Sequence, residues 1–132
     1  MKNPNIQKIA KKYRLNLLIL FGSETTTQKT KHSDLDLAFF RYQYMPPEEE
    51  NRLFTDLMEA YRREDIDLIN IKNTPNLLLR YEIFIKGMPI YEKKKGFFSK
   101  TRWEAYIDFM DFKRFFDQKG AVIEKNLQIL TA

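Results

Sequence analysis

The sequence has no cysteine. That removes a disulfide framework and a thiolate metal site from consideration, and it fits a reducing interior. No apolar run approaches the ~20 residues needed to cross a bilayer. The opening stretch, "MKNPNIQKIAKKYRLN", has no apolar signal-peptide region. No membrane partner is expected, and a cytoplasmic location is. There are only four glycines and five prolines, and neither a repeat nor a low-complexity segment is present.

Aromatic residues, by contrast, are abundant, with eleven Phe and seven Tyr among 132 residues. A chain of this length and apolar content makes one domain with a real core. The net charge of +5 has some density at Lys8–Arg14, Lys93–Lys95 and Lys100–Arg102. It suits phosphate-bearing or acidic partners in general. On charge alone, nucleic acid is the weaker expectation, since charge runs at turns are usually solvated surface.

Periodicity divides the chain into alternating elements. Residues 5–14 read as a short basic helix with Ile6, Ile9, Ala10 and Tyr13 on one side. "LNLLILF" is a buried strand ended by Gly22, and "DLDLAFF" alternates with the period of a half-buried strand. "YMPPEEENRLFTDLMEAYRRE" predicts an amphipathic helix, with a proline at its start, glutamates in its first turn and Arg62-Arg63 in its last. "DIDLINI" is a third strand. "TPNLLLRYEIFIKG" is a helix with Thr74 as its expected N-cap, Pro75 at its first position and Gly87 at its stop. "MPIYEK" is a strand that Pro89 assigns to a sheet edge. An aromatic helical tail follows, with Trp103, Tyr106, Ile107, Met110, Arg114, Phe109, Phe112 and Phe116. The order predicts an α/β (α+β) domain with a small mixed sheet and helices packed on it. Residues 1–92 form its core and residues 93–132 an extension that packs on the core or on a partner.

The candidate chemistry lies in "LLILFGSETTTQKTKHSDLDLAFF". Asp34 and Asp36 fall two apart on a strand, so both project to one face with about 7 Å between Cα atoms. Carboxylates so close repel unless one is protonated or a cation bridges them. Magnesium suits that role through its preference for hard oxygen ligands. Asp67 on the third strand completes a three-carboxylate cluster if that strand pairs beside "DLDLAFF", and such a cluster can hold two ions ~3.5–4 Å apart. Gly22 lets backbone approach a ligand, and Ser23 can hold phosphate oxygens. Lys29, Lys31 and His32 add positive charge in the loop, though His32 reads better as a solvated residue than as a catalyst. Asp65 reads as a strand-entry residue. The arrangement describes nucleoside-triphosphate chemistry.

These residues resemble the minimal nucleotidyltransferases of the DNA polymerase β superfamily. "LFGS", ten residues ending in Ser33, then "DLDLAFF" matches the family's G-S-x10-D-x-D signature. "DIDLINI" stands at its third acidic strand, and "LLLRYEIFIKGMPIYE" resembles its closing helix and strand. The likeness covers residues 6–92. It implies a polymerase β-like fold and magnesium-dependent transfer of a nucleoside monophosphate, most often AMP from ATP, to an acceptor hydroxyl. By the resemblance, Gly22, Ser23 and Ser33 hold the nucleotide. Asp34, Asp36 and Asp67 bind two magnesium ions, and Asp67 helps deprotonate the acceptor.

Many small members of this family are antitoxins to a HEPN-domain ribonuclease, and some are thought to attach AMP to a tyrosine of that toxin. The resemblance therefore implies a cognate HEPN toxin as partner and acceptor, with the tail from Phe97 to Phe116 as its docking surface. Covering the sheet, or forming a homo-oligomer, is the competing use of that tail. In one respect the sequence departs from its relatives. They often continue Gly-Ser with a small residue, an arginine and a glycine, whereas the loop here reads "ETTTQKTKH". An antitoxin that neutralises by binding alone is the alternative this departure keeps open.

Overall fold

The computed structural model describes residues 4–22 and 35–131; from residue 120 on, only the helical backbone is described. The elements run α1 (Pro4–Lys12), β1 (Leu17–Phe21), β2 (Leu35–Phe40), α2 (Pro47–Tyr61), β3 (Ile66–Asn70), α3 (Leu77–Lys86), β4 (Met88–Glu92) and α4 (Phe97–Thr131), with a short 3-10 turn at Ile71–Asn73. This is the element order expected from periodicity. The strands form one mixed sheet in the order β3-β2-β1-β4. β1 is antiparallel to both β2 and β4, while β2 and β3 are parallel. The parallel pair is what the α2 crossover requires, because parallel neighbours cannot be joined by a tight hairpin.

Period-two alternation sends each strand's side chains to two separate cores. Leu18, Leu35, Leu37, Phe39 and Ile66 join Ile6, Ala10, Leu53 and Leu57 of α1 and α2 on one face. Leu17, Ile19 and Ala38 meet Ile83, Phe84 and Phe98 of α3 and α4 on the other. A fully buried Leu, Ile or Phe contributes roughly 1.5–3 kcal/mol, so these two layers hold the sheet from both sides. β4 is an edge strand, as Pro89 demands, and the β1–β4 register shifts between Leu18 and Ile19 beside it.

Two local expectations shift. The N-cap of α3 is Asn76, whose side chain accepts from the N–H groups of Leu78 and Leu79 at 3.0 and 3.2 Å. Thr74 instead donates to the Asn70 carbonyl at 2.9 Å, which leaves Pro75 outside the helix. Asn is as good a cap as Thr or better, so the helix begins at the later residue. α2 ends at Tyr61, and Arg62 takes a left-handed conformation (φ 54°) just past it. The two arginines therefore follow the last turn rather than occupy it.

Arg41, directly after β2, is 6% exposed. Nε donates to the Gln43 carbonyl. Nη1 donates to the Tyr13 carbonyl and Glu49, and Nη2 to the Tyr44 carbonyl and Glu49. All five N–H donors are thus used, as a buried guanidinium requires. The cluster ties the end of α1 and the start of α2 to the sheet.

α4 is 35 residues long, about 52 Å at helical rise. Its first turns seat on α3: Phe84 and Phe98 lie 5.8 Å apart, and Tyr81 stacks on Phe109 at 4.4 Å. Within that stretch Trp103 (64% exposed) faces outward, and beyond it so do Phe112, Phe115 and Phe116 (62%).

Candidate active site

Asp36 and Asp67 are direct partners across the parallel β2–β3 ladder, and Phe21 is the partner of Asp36 across the antiparallel β1–β2 ladder. Neighbouring strands lie ~4.8 Å apart, which makes the two aspartates immediate neighbours. They share a sheet face with Ala38 and Ile69, the α3 side, because residues two apart on a strand project alike. Asp36 is half-buried and Asp67 exposed, so the pair opens from the sheet surface toward solvent at one end of the strands.

Gly22 closes the site from the β1 side. Its φ of +81° is a backbone conformation that side chains rarely adopt, and a Cβ there would sit 2.1 Å from Asp36 Oδ2. Both the turn and the close approach of the carboxylate require glycine. Backbone and carboxylate are therefore packed against each other where β1 ends.

Asp65 is set apart from this pair. It precedes β3 and makes a two-pronged ion pair with Arg63, at 2.7 and 2.5 Å. The guanidinium holds the Asp65 carboxyl below the usual carboxylate range. Its backbone carbonyl accepts from the Leu35 N–H at 2.8 Å, which fixes the entry of β3 beside β2.

The structure thus brings Gly22, Asp36 and Asp67 together. Ser23, Ser33 and Asp34, along with Glu24, Lys29, Lys31 and His32, lie outside the described residues. Phe21, flanking Asp36 on the same face, was not singled out from the sequence. Its signal was its place as the last apolar residue before Gly22. Among the described residues, no group of three or more His, Asp or Glu is placed to hold a metal ion. Asp36 and Asp67 supply two hard oxygen donors side by side, a donor set that fits magnesium in its chemistry. No helix among the described residues is long and apolar enough to cross a membrane.

A glycine turn packed on one of two facing strand carboxylates, at the open end of a small mixed sheet, defines a nucleotidyltransferase-type domain. The chain belongs to the family described as Polymerase beta, Nucleotidyltransferase, which it matches over residues 4–96. Solved structures share the fold at low sequence identity. A toxin–antitoxin crystal structure with AMP-PNP matches with a TM-score of 0.70 at 18% identity, covering 93% of this chain and 96% of that one. A tri-AMPylated Shewanella oneidensis HEPN toxin in complex with MNT antitoxin matches with a TM-score of 0.63 at 17% identity, covering 92% of each chain. The toxin–antitoxin MntA-HepT matches with a TM-score of 0.63 at 17% identity, covering 92% of this chain and 93% of that one. No curated protein matches the sequence.

Proposed function

We propose that this protein is a nucleotidyltransferase antitoxin that moves AMP from ATP onto a hydroxyl, specifically that of a tyrosine, on a cognate HEPN-type toxin. The observation that carries the reading is the facing of Asp36 and Asp67 next to Gly22. It is supported by family membership over residues 4–96 and by structural neighbours that include an AMPylated toxin and an AMP-PNP complex.

In this reading Gly22 and Ser23 hold the triphosphate through backbone N–H groups and the serine hydroxyl, with Ser33 as a further nucleotide contact. Asp34, Asp36 and Asp67 would hold magnesium. When bound, the metal neutralises triphosphate charge and makes the acceptor hydroxyl more acidic. Asp67, the more open of the facing pair, accepts the hydroxyl proton. The hydroxyl oxygen forms a bond to the α-phosphorus, the bond to the bridging oxygen breaks, and pyrophosphate leaves with the electron pair. The outward aromatic residues of α4, beginning with Trp103, give the toxin its seat.

Neutralisation by binding alone is the second reading. It is favoured by the size of the unpartnered α4 surface and by the unusual loop after Ser23.

The test incubates the protein and magnesium with lysate of its native cell, using α- and γ-labelled ATP in parallel. Wild type is compared with Asp34→Asn/Asp36→Asn. Label entering one protein band only from α-labelled ATP, and only with wild type, is the expected result. No transfer from either nucleotide, together with a partner that co-purifies with both proteins, selects neutralisation by binding.

A further inference from the structure

The opposite end of the sheet carries a second feature that the nucleotidyl-transfer site does not use. Asn16, Tyr42, Lys93, Lys94, Lys95, Gly96, Phe97 and Lys100 form an open basin of about 600 Å³. The sheet register separates it from the aspartates: Leu17 is opposite Phe40 and Glu92 at this end, while Phe21 is opposite Asp36 at the other. Four residue steps along β2, about 13 Å, separate Asp36 from Phe40.

The basin is built rather than accidental. Asn16 joins its two walls, accepting the Tyr42 N–H through Oδ1 and the Lys93 N–H through its carbonyl, each at 3.0 Å. Lys72 donates to the Tyr42 carbonyl and holds that wall from behind. Tyr42 stacks on Phe97 at 5.8 Å with a 24° tilt and meets the edge of Phe40 at 4.9 Å, yet remains 61% exposed. An aromatic face is thereby fixed in place and left open to water.

All four lysines are exposed, and among the described residues none makes an ion pair or a side-chain hydrogen bond. Glu92 makes no ion pair with them; its carboxylate accepts the N–H groups of Gly96 (3.4 Å) and Phe98 (3.0 Å) at the start of α4. Glu104 and Asp108 line an adjoining cavity of about 210 Å³ that shares Tyr42 and Phe97 with the basin, and neither lines the basin itself.

We infer that this basin binds single-stranded nucleic acid, with a base stacked on Tyr42 and flanking phosphates on Lys93, Lys94, Lys95 and Lys100. Exposed aromatic rings among unpaired cations are how sequence-tolerant single-strand sites are made, since every base offers a π-face and every linkage a charge. An acidic protein surface would use the lysines, but a nucleobase uses both features at once, stacking flat on the open ring while its flanking phosphates meet the lysines. A duplex keeps its bases stacked inside and would not reach the ring.

The test is fluorescence anisotropy with a fluorescein-labelled single-stranded RNA 12-mer, its duplex form and polyglutamate as competitor, titrated across salt concentrations with the full chain. Single-stranded RNA is expected to bind more tightly than duplex, with affinity falling linearly on a log–log salt plot. Lys93→Gln/Lys94→Gln/Lys95→Gln should reduce the magnitude of that slope by about 2, at ~0.7 per lost phosphate contact. Tyr42→Ser should weaken binding about 5- to 150-fold at unchanged slope, and Tyr42→Phe should restore it. Asp36→Asn should bind RNA as wild type does. The proposal is overturned by absence of binding at low salt, by equal binding of duplex, or by polyglutamate displacing RNA with no effect of Tyr42→Ser. Loss of binding in Asp36→Asn would overturn it too, by placing the RNA at the transfer site.

Discussion

Gly22 and Asp36 are packed so closely that a methyl group on the glycine would stand 2.1 Å from the aspartate's Oδ2. The contact couples the turn that ends β1 to the orientation of a candidate metal ligand on β2. Gly22→Ala must therefore both strain the backbone and displace the carboxylate. Gly96 provides the control, because it also has positive φ (+91°) but a methyl group there would meet no atom within 4 Å. Gly96→Ala should cost about 1–2 kcal/mol of stability in a urea melt from backbone strain, and Gly22→Ala at least as much. Only Gly22→Ala should also reduce α-labelled AMP transfer, and equal activity in both variants would refute the coupling.

The pairing of Asp36 with Asp67 predicts a separation of stability from activity. Two like charges facing each other on one sheet face destabilise it, so Asp67→Asn should leave the melting temperature unchanged or raise stability by up to about 1 kcal/mol. Transfer activity should fall by about 10²–10⁴-fold if Asp67 takes the acceptor proton. A variant that unfolds, or one that transfers AMP at the wild-type rate, would contradict this account.

Glu49 gives the fold an acid-sensitive element. The hydrogen bonds from Arg41 hold its carboxyl below its ordinary value of 4.5. A group whose folded pKa is depressed contributes stability above its unfolded pKa and loses that contribution as pH falls through the folded value. Urea midpoints should therefore decline as pH drops below 4.5. Glu49→Gln, weaker than wild type at neutral pH by roughly 1.5–3 kcal/mol, should decline less steeply. Parallel curves for the two proteins would show that Glu49 contributes nothing to the acid limb.

The far part of α4 should matter for partnership and not for folding. Phe112 and Phe116 stack on each other at 5.9 Å and are 45% and 62% exposed. Phe112→Glu/Phe116→Glu should leave the unfolding free energy within about 0.5 kcal/mol of wild type, since exposed substitutions rarely exceed that. The same variant should lose co-purification of the toxin. Retained co-purification would move the docking surface elsewhere on the molecule.

Much of this architecture was legible along the chain because strand and helix periods are local properties. Apolar runs marked β1 and β2, the proline and glutamates marked the start of α2, and Pro89 marked β4 as an edge. The cap of α3 was misplaced by two residues because Thr74 and Asn76 are both competent caps, and only the geometry after the 3-10 turn selects one. Arg41 gave no signal, since an arginine at a strand end is usually solvated. Its burial depends on Tyr13 after α1 and Glu49 of α2 converging on the loop that holds Gln43 and Tyr44.

The sequence by itself determined which residues carry charge and on which strand face each falls, because alternation along a strand is set by the backbone. It could not determine which strands become neighbours. The tertiary structure decided that β3 lies parallel to β2 in the register that sets Asp36 against Asp67, and that β1 brings Gly22 against Asp36. It likewise decided that Asn16, Tyr42 and Lys93, distant in sequence, meet at the other end of the sheet. The physical reason is the same in each case. Register is selected by burying two apolar layers at once, and a slip of one residue would turn Leu35, Leu37 and Phe39 out of their core.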